Sequence, residues 1–324
     1  MSDLAKAAHG TADLEQYARA TRRVTLYSVA VAVILIALKT VVWSRSGSVA
    51  LFASLADSAL DLIAALVTFF AVRYAAAPPD AEHRFGHGKA ESFASLLQAG
   101  LVFASGALVG REALLRLLHP EPVGDGALGT TVMAISIMLT AGLIAAQSRA
   151  LKSAGSVAVE SDRAHYFMDL LSNLVALIGI AGATFLHLAW LDGAAGLAVA
   201  ATFIWGAVGV FRESAYQLMD ESLPPQAHAH LVDLVTQDPR ISGVHQLRTR
   251  VSGPYVMIQM HADLDPQLTL EEAHKVMIAA ENRILADYPA ADIIIHPDPR
   301  GRAEPHGGAF AEHQHADSDR APAR

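Results

Sequence analysis

The chain has 324 residues, of which 52% are hydrophobic and only 17% are charged, and its mean hydropathy is +0.32. This composition is too apolar for an ordinary soluble domain and is typical of membrane proteins. The absence of cysteine excludes disulfides and thiolate metal sites, so any metal ligand must be His, Asp, Glu or a backbone oxygen. A net charge of −8 gives no support for nucleic-acid binding.

Six apolar segments are long enough to cross a bilayer core of about 30 Å, which requires about 20 helical residues. We place them at 24–43, 48–75, 90–112, 127–147, 164–188 and 191–212. The first twenty residues lack the basic start, short apolar stretch and small-residue cleavage site of a signal peptide, so none is expected there. Arg and Lys concentrate before the first span, in the second and fourth connections and after the sixth span. The positive-inside rule then predicts that both termini are cytoplasmic.

The part of the chain at 222–300 has no long apolar run, and its pattern predicts helix, strand, strand, helix and strand. In "YVMIQMH", the apolar residues Val256, Ile258 and Met260 alternate with polar ones that include His261, which indicates a strand with one buried face. This αββαβ order predicts a small cytoplasmic α+β domain with an antiparallel sheet, ferredoxin-like or metallochaperone-like.

The chain therefore divides into four predicted parts. An N-terminal cytoplasmic tail is followed by an all-α six-helix transmembrane bundle, the α+β domain and a polar tail expected to be disordered. Their ranges are 1–21, 22–215, 222–300 and 301–324. Histidines of the final tail are expected to bind metal weakly or not at all; they are His306, His313 and His315.

Two aspartates lie four positions apart inside the second apolar segment, Asp57 and Asp61 in "LFASLADSALDLIAALVTFF". On a helix they share one face. Each lone charge costs at least about 2.5–3.5 kcal/mol at the bilayer centre, so the pair requires protons or a bound cation. The fifth segment carries His165 and Asp169 at the same spacing. Apolar counting places the first pair nearer the outer face than the second.

Together these side chains supply three carboxylates and one imidazole, a donor set that suits four-coordinate Zn²⁺; Fe²⁺, Co²⁺, Ni²⁺ and Cd²⁺ are the other metals it accepts. The alternative is that the residues are polar packing contacts between helices. The recurrence of the same spacing on two segments favours the metal site, because intramembrane carboxylates are so unfavourable.

A second set of metal-binding residues lies in the connection "PPDAEHRFGHGKAES", where Asp80, His83 and His87 follow one another at spacings of three and four. A loop with two glycines can wrap these side chains around one ion. The alternative is a polar loop with ordinary exposed histidines.

A third set lies in the α+β domain: His245, His261, His274, His296 and Asp298. These residues come from distant stretches, so only the fold can bring them together. By spacing alone, scattered surface histidines are the simpler interpretation.

Four features together resemble the cation diffusion facilitators, and within that family the bacterial ferrous-iron and zinc efflux transporters. They are "LADSALD", "HRFGHGKAES", "HYFMD" and the terminal αββαβ domain, and the resemblance runs from about residue 22 to 299. It implies a homodimer in the bacterial inner membrane that exports divalent metal from the cytoplasm in exchange for protons, and not an enzyme. Zn²⁺ is the metal expected first, with Fe²⁺, Cd²⁺ and Co²⁺ as further cargoes.

The resemblance also assigns roles to the three sets. The membrane set is the transport site, the loop set is a cytoplasmic metal site, and the set in the α+β domain is a two-metal site at the dimer interface. Pro297 stands where close relatives have a glutamine, and its side chain cannot ligate. Lys89 and Asp220 resemble a charged interlock that holds the dimer together at the membrane surface; their alternative is two solvated charges.

Metal ligands must be deprotonated, so binding displaces protons and protonation ejects the metal. With an ordinary histidine pKa of about 6.5, this predicts metal–proton exchange by alternating access. The rivals are a membrane metal sensor and a metal-gated channel in which the aspartates form a selectivity ring. A further rival, an intramembrane metalloenzyme or aspartyl protease, lacks support because the sequence contains neither HExxH nor GxGD.

Overall fold

The computed structural model describes residues 14–46, 49–118, 127–186 and 190–301. In these ranges, six long helices precede a small α+β domain. They are α1 (Leu14–Ser46), α2 (Val49–Ala75), α3 (Ala90–Leu118), α4 (Ala127–Ala154), α5 (Val157–Leu186) and α6 (Trp190–Leu218). Within the described residues, five of them, all but α5, contain stretches long and apolar enough to cross a membrane. The chain thus has a helical transmembrane domain.

Two helices begin well before the apolar segments that predicted them. Helix α1 starts at Leu14 and helix α5 at Val157. The start of α5 is set by Ser156, whose hydroxyl accepts a hydrogen bond from the backbone of Val159 at 3.2 Å and donates one to Glu91 at 2.8 Å. A count of apolar residues along the sequence detects only the apolar part of such a helix. Polar turns at its start extend the helix beyond that part.

Close packing of α3 against α6 depends on small residues. A Cβ added at Gly106 of α3 would lie 2.8 Å from Cβ of Phe203, and one added at Gly196 of α6 would lie 2.7 Å from Cβ of Ala113. Membrane helices lack a hydrophobic driving force for association in lipid, so this close backbone approach supplies much of their attraction.

The α+β domain follows the predicted order. Its elements are α7 (Pro225–Thr236), β1 (Ile241–Ser252), β2 (Tyr255–Leu264), α8 (Leu270–Asp287) and β3 (Ala291–Pro299). As predicted, Val256, Ile258 and Met260 are buried in its core. Helix α8 begins with a capping box, in which Thr269 and Glu272 each accept a hydrogen bond from the other's backbone.

The prediction of an antiparallel sheet is right for one pair of strands and wrong for the other. The strand order is β1-β2-β3, with β1 and β2 antiparallel but β2 and β3 parallel. Helix α8 is the reason, because it carries the chain back to the starting end of β2, so that β3 runs in the same direction. Alternation within a strand does not reveal the direction of its neighbour.

The turn between β1 and β2 packs against the loop that joins α2 and α3. A Cβ added at Gly88 would lie 1.9 Å from the carbonyl oxygen of Ser252, so only glycine fits there. The hydroxyl of Tyr255 donates to the carbonyl of Ala77 at 3.3 Å. The loop containing the second set of predicted ligands is therefore held between the two domains.

Candidate metal sites

The described residues bring together three of the four predicted membrane ligands. His165 Nε2 on α5 lies 3.0 Å from Asp61 Oδ1 on α2 and 3.5 Å from Asp169 Oδ2, one turn further along α5. Each residue offers one ligand atom, and these atoms lie within 4.8 Å of one another. Asp57 is one turn before Asp61 on α2, but its side chain is outside the described part of the chain.

The geometry of this membrane site fits a small divalent ion. Zn–N and Zn–O bonds of about 2.0–2.1 Å in a tetrahedron place neighbouring ligand atoms about 3.3 Å apart, close to the separations seen here. Asp61 and His165 are buried, and Asp169 is partly exposed. The sequence placed the aspartates of α2 nearer the outer face than His165 and Asp169. The structure does not show this difference in depth, because α5 begins at Val157 and its two residues therefore lie further into the membrane domain.

Sequence reasoning missed a buried polar network one turn before His165. Asp162 Oδ2 accepts hydrogen bonds from Ser28 Oγ on α1 and Gln147 Nε2 on α4, both at 2.7 Å, and its Oδ1 accepts one from Gln98 Nε2 on α3 at 3.2 Å. Gln98 also donates to Thr68 on α2. One carboxylate therefore links α5 directly to three other helices, and to α2 through Gln98. Its signal in the sequence was an aspartate directly before the fifth apolar segment.

A second missed group is Lys39, which is buried in α1 and donates a hydrogen bond from Nζ to Ser58 Oγ at 2.6 Å. It lies inside the first predicted span. An ionisable residue within a membrane segment is by default a functional-site hypothesis, and this signal was available from the sequence.

In the loop between α2 and α3, the three predicted ligands also lie together. Asp80 is 3.4 Å from His83 Nδ1 and 3.2 Å from His87 Nε2. The backbone N–H of His83 donates to Asp80 at 2.6 Å and lowers the pKa of that carboxyl, which keeps it ionised as a ligand must be. His87 is buried, and its Nδ1 makes no hydrogen bond within the described residues. These three residues form the loop site.

The α+β domain gathers the third set at one end of its sheet. His245, His261 and His296 are neighbours across β1, β2 and β3. Asp298 Oδ2 lies 2.8 Å from His261 Nδ1 and 3.4 Å from His245 Nε2, and its Oδ1 lies 3.3 Å from His296 Nε2. A β-bulge directly after His245, with Gln246 at φ +51°, locally re-aims this strand.

The donor set of this sheet site fits a metal ion. His245 Nε2 is buried and makes no hydrogen bond within the described residues, although two carboxylates lie nearby. Burial lowers the pKa of His261 despite the opposing hydrogen bond with Asp298, which favours the neutral imidazole that binds metal. Asp263, which sequence reasoning missed, places Oδ1 3.6 Å from His245 Nε2. It follows His261 by two positions, so strand alternation could have found it.

Within the described residues, the compact cluster of the third set is His245, His261 and Asp298. His296 lies at its edge, 3.3 Å from Asp298, whereas His274 is exposed on α8 and does not belong to the cluster. Pro297 pairs with Ala262 in the β2–β3 ladder, between the two ligating positions of β3. The histidines of the final tail lie outside the described residues.

Lys89 and Asp220 pair within a single chain. Lys89 Nζ lies 3.0 Å from Asp220 Oδ1, and Arg250 on β1 lies 3.0 Å from Asp220 Oδ2. Burial acts to raise the pKa of Asp220, but the hydrogen bonds from Lys89 and Arg250 prevail and lower it. These contacts connect the loop, the end of α6 and the α+β domain. Their predicted role in a dimer stays a prediction.

We expect Asp220→Asn to loosen this junction and to lower the melting temperature in detergent by roughly 2 °C. A carboxyl with a lowered pKa stabilises the fold above its ordinary pKa of about 3.9, and this contribution disappears as pH falls through the lowered value. The difference between wild type and variant should therefore be present at pH 7 and vanish in strong acid. Asp233→Asn, at an exposed position of α7, is the matched control. Equal melting of wild type and Asp220→Asn at pH 7 would contradict the prediction.

Comparison with known proteins defines the class to which this architecture belongs. The family profile of the cation efflux transmembrane domain matches residues 25–219, and that of the cation efflux protein cytoplasmic domain matches residues 223–300. The chain is thus a multi-pass membrane transporter of metal cations and not an enzyme. It belongs to the cation efflux family, the cation diffusion facilitators, as its motifs indicated.

Two relatives each cover more than four fifths of the chain. The cation-efflux pump FieF of Shewanella oneidensis is 38% identical over 272 residues, which are 84% of this chain and 92% of the relative. FieF of Yersinia enterocolitica is 37% identical over 285 residues, 88% of this chain and 94% of the relative. A solved chain of CzrB in its zinc form is 28% identical and covers 26% of this chain and 98% of its own length, with a TM-score of 0.25.

Proposed function

We propose that the protein is a divalent metal–proton antiporter that exports metal from the cytoplasm across the bacterial inner membrane. It would act as a homodimer whose subunits have six spans and cytoplasmic termini. The observation that supports this best is the buried cluster of Asp61, His165 and Asp169 between two membrane helices. Acidic side chains persist in such surroundings when they bind ions or protons.

The exchange follows from the chemistry of the ligands. Facing the cytoplasm, the protonated membrane site gives up its protons to the cytoplasm, and the deprotonated side chains bind the metal ion in their place. Facing outward at lower pH, His165 and at least one aspartate take up protons, which lowers their affinity for the metal and releases it. Rocking of α2 and α5 between the two facings couples the movements, because the same side chains hold either protons or metal.

Zn²⁺ is the cargo that this donor set favours. One imidazole with carboxylate oxygens in four-coordination is a common zinc environment. Fe²⁺, Cd²⁺ and Co²⁺ accept the same ligands and remain cargoes to be compared. The full proposed transport site is Asp57, Asp61, His165 and Asp169.

The cytoplasmic sites would respond to metal and would not carry it. We assign Asp80, His83 and His87 to the loop site. We assign the sheet residues, which are His245, His261, His296 and Asp298, to a regulatory zinc site that His274 joins at the dimer interface. A metal ion bound at these cytoplasmic sites favours one dimer geometry only if it binds that geometry more tightly than the other. The junction of Lys89 and Asp220 lies beside this interface in our proposal and would transmit the change to the membrane domain.

Counter-transport in proteoliposomes tests the proposed function. The purified protein is exposed to Zn²⁺, Fe²⁺, Cd²⁺ and Co²⁺ in turn, with and without a pH gradient. We expect Zn²⁺ accumulation driven by an opposing proton gradient and abolished by a protonophore. Ionic currents independent of protons would instead establish a channel, and absence of transport by intact protein would establish a sensor.

We also expect His245→Ala to weaken Zn²⁺ binding to the sheet site by at least about tenfold, because it removes a ligand and not only an outer contact. Equilibrium dialysis of the full-length protein, with Asp61→Ala in the background to silence the membrane site, measures this. His230→Ala is the matched control, since His230 pairs with exposed Asp287 in the same domain. Equal Zn²⁺ retention by both variants would contradict the assignment.

A further inference from the structure

Lys39 is a buried basic residue on α1 that hydrogen-bonds to α2, the helix that carries Asp61. Only 9% of it is exposed, and it lies well inside the apolar part of α1. Its Nζ donates to Ser58 Oγ at 2.6 Å, and Ser58 is itself completely buried. Lysines in membrane segments are rare and face functional sites, because lipid cannot solvate their charge.

The contact with Ser58 places the ammonium group close to the metal ligands. Ser58 precedes Asp61 by three positions on α2, so the two residues share a face, with Cβ atoms about 5–6 Å apart. Asp61 in turn contacts His165 at 3.0 Å. Lys39 therefore approaches the cluster through Ser58 from α1, a helix that supplies none of the proposed ligands.

The formal charges then balance. The three aspartates of the proposed site carry −3 when ionised, and His165 is neutral as a metal ligand. A divalent ion leaves a residual charge of −1, which is unfavourable in a low-dielectric interior. We propose that Lys39 is the charge-balancing residue of the transport site. Its ammonium makes the loaded cluster neutral and keeps the affinity for a divalent ion low enough for release.

The proposal rests on the proposed function and has a simple competitor. Lys39 can instead be a packing contact whose only task is to donate a hydrogen bond to Ser58. Three substitutions separate these roles. Lys39→Gln keeps a donor and removes the charge, Lys39→Met removes both, and Lys39→Arg keeps both. Lys152→Met, at the exposed end of α4, is the control for loss of a lysine elsewhere.

The experiment measures initial rates of Zn²⁺ transport in proteoliposomes over a range of Zn²⁺ concentrations. Removal of one neighbouring positive charge should lower the KM at least about tenfold in Lys39→Gln and Lys39→Met, with a reduced maximal rate because release is slowed. Lys39→Arg and Lys152→Met should stay near wild type. Size-exclusion chromatography tests whether each variant is folded. If Lys39→Met does not fold, Lys39→Gln alone tests the charge-balancing role.

A wild-type KM in Lys39→Gln would overturn the charge-balancing role, and so would a lower maximal rate at unchanged KM in every neutral variant. Either result would leave the proposed function intact, since the wild type still transports. Absence of Zn²⁺ transport by the folded wild type would overturn both proposals.

Discussion

We expect Asp61→Ala and Asp169→Ala each to reduce coupled Zn²⁺–proton exchange at least about a hundredfold, while the protein stays folded. Each substitution removes a carboxylate from a site in which His165 already lies 3.0 and 3.5 Å from the two aspartates. The loss should appear in both directions of the exchange, because metal and protons use the same groups. Asp57→Ala should behave alike if its carboxylate is the fourth ligand.

The measurement is Zn²⁺ uptake into proteoliposomes against an opposing proton gradient, with pH-sensitive dye recording proton movement in the same vesicles. Asp233→Asn, remote on α7, serves as the control for a lost carboxylate. Retention of exchange in both Asp61→Ala and Asp169→Ala would remove the membrane cluster from the mechanism. Loss of metal movement with proton movement intact would show that the two are not carried by one site.

The second large effect is expected from Asp162→Leu, which should prevent the accumulation of folded protein. The substitution removes three hydrogen bonds at once, those from Ser28, Gln98 and Gln147 to the carboxylate. Gln98 keeps its bond to Thr68, and Gln147 keeps its bond to Ser28. A buried donor that loses its acceptor costs about 1–3 kcal/mol, so three such losses are a large fraction of the stability of many domains. Asp162→Asn should be intermediate, because one acceptor oxygen survives while the other becomes a donor.

Thermal unfolding and monodispersity in detergent measure this effect. Asp233→Leu, at an exposed position, is the matched control for the same change of side chain. Full wild-type stability of Asp162→Leu would show that the donors find other partners and that the network does not hold the helices together. Impaired folding of Asp162→Leu alone would leave the assignment of the transport site unaffected, since that rests on different residues.

Much of the candidate site was predictable because its residues violate the local pattern around them. Asp61 and Asp169 are costly in apolar helices, and the spacing of four residues places each pair on one face. The alternation around Val256 and Ile258 likewise predicted a buried strand face, since it depends on neighbours in the chain. The motif "HYFMD" further made the family recognisable.

Other features were hidden because they depend on partners far away in the sequence. Gln98 and Gln147 are unremarkable until the fold directs both at Asp162. The parallel pairing of β3 depends on the path of α8, and the separation of His274 from the other sheet ligands depends on which face of that helix is exposed.

By itself the sequence determined a membrane protein with acidic and imidazole ligands at helical spacing and a small α+β domain, because hydrophobic length and periodicity are local properties. Only the tertiary structure decided which of those side chains meet, how the network around Asp162 links five helices, and that Lys39 lies against Ser58, on the helix that carries Asp61. The physical reason is that these contacts form between helices that come together only when the chain folds, and no periodicity along one segment records its neighbour.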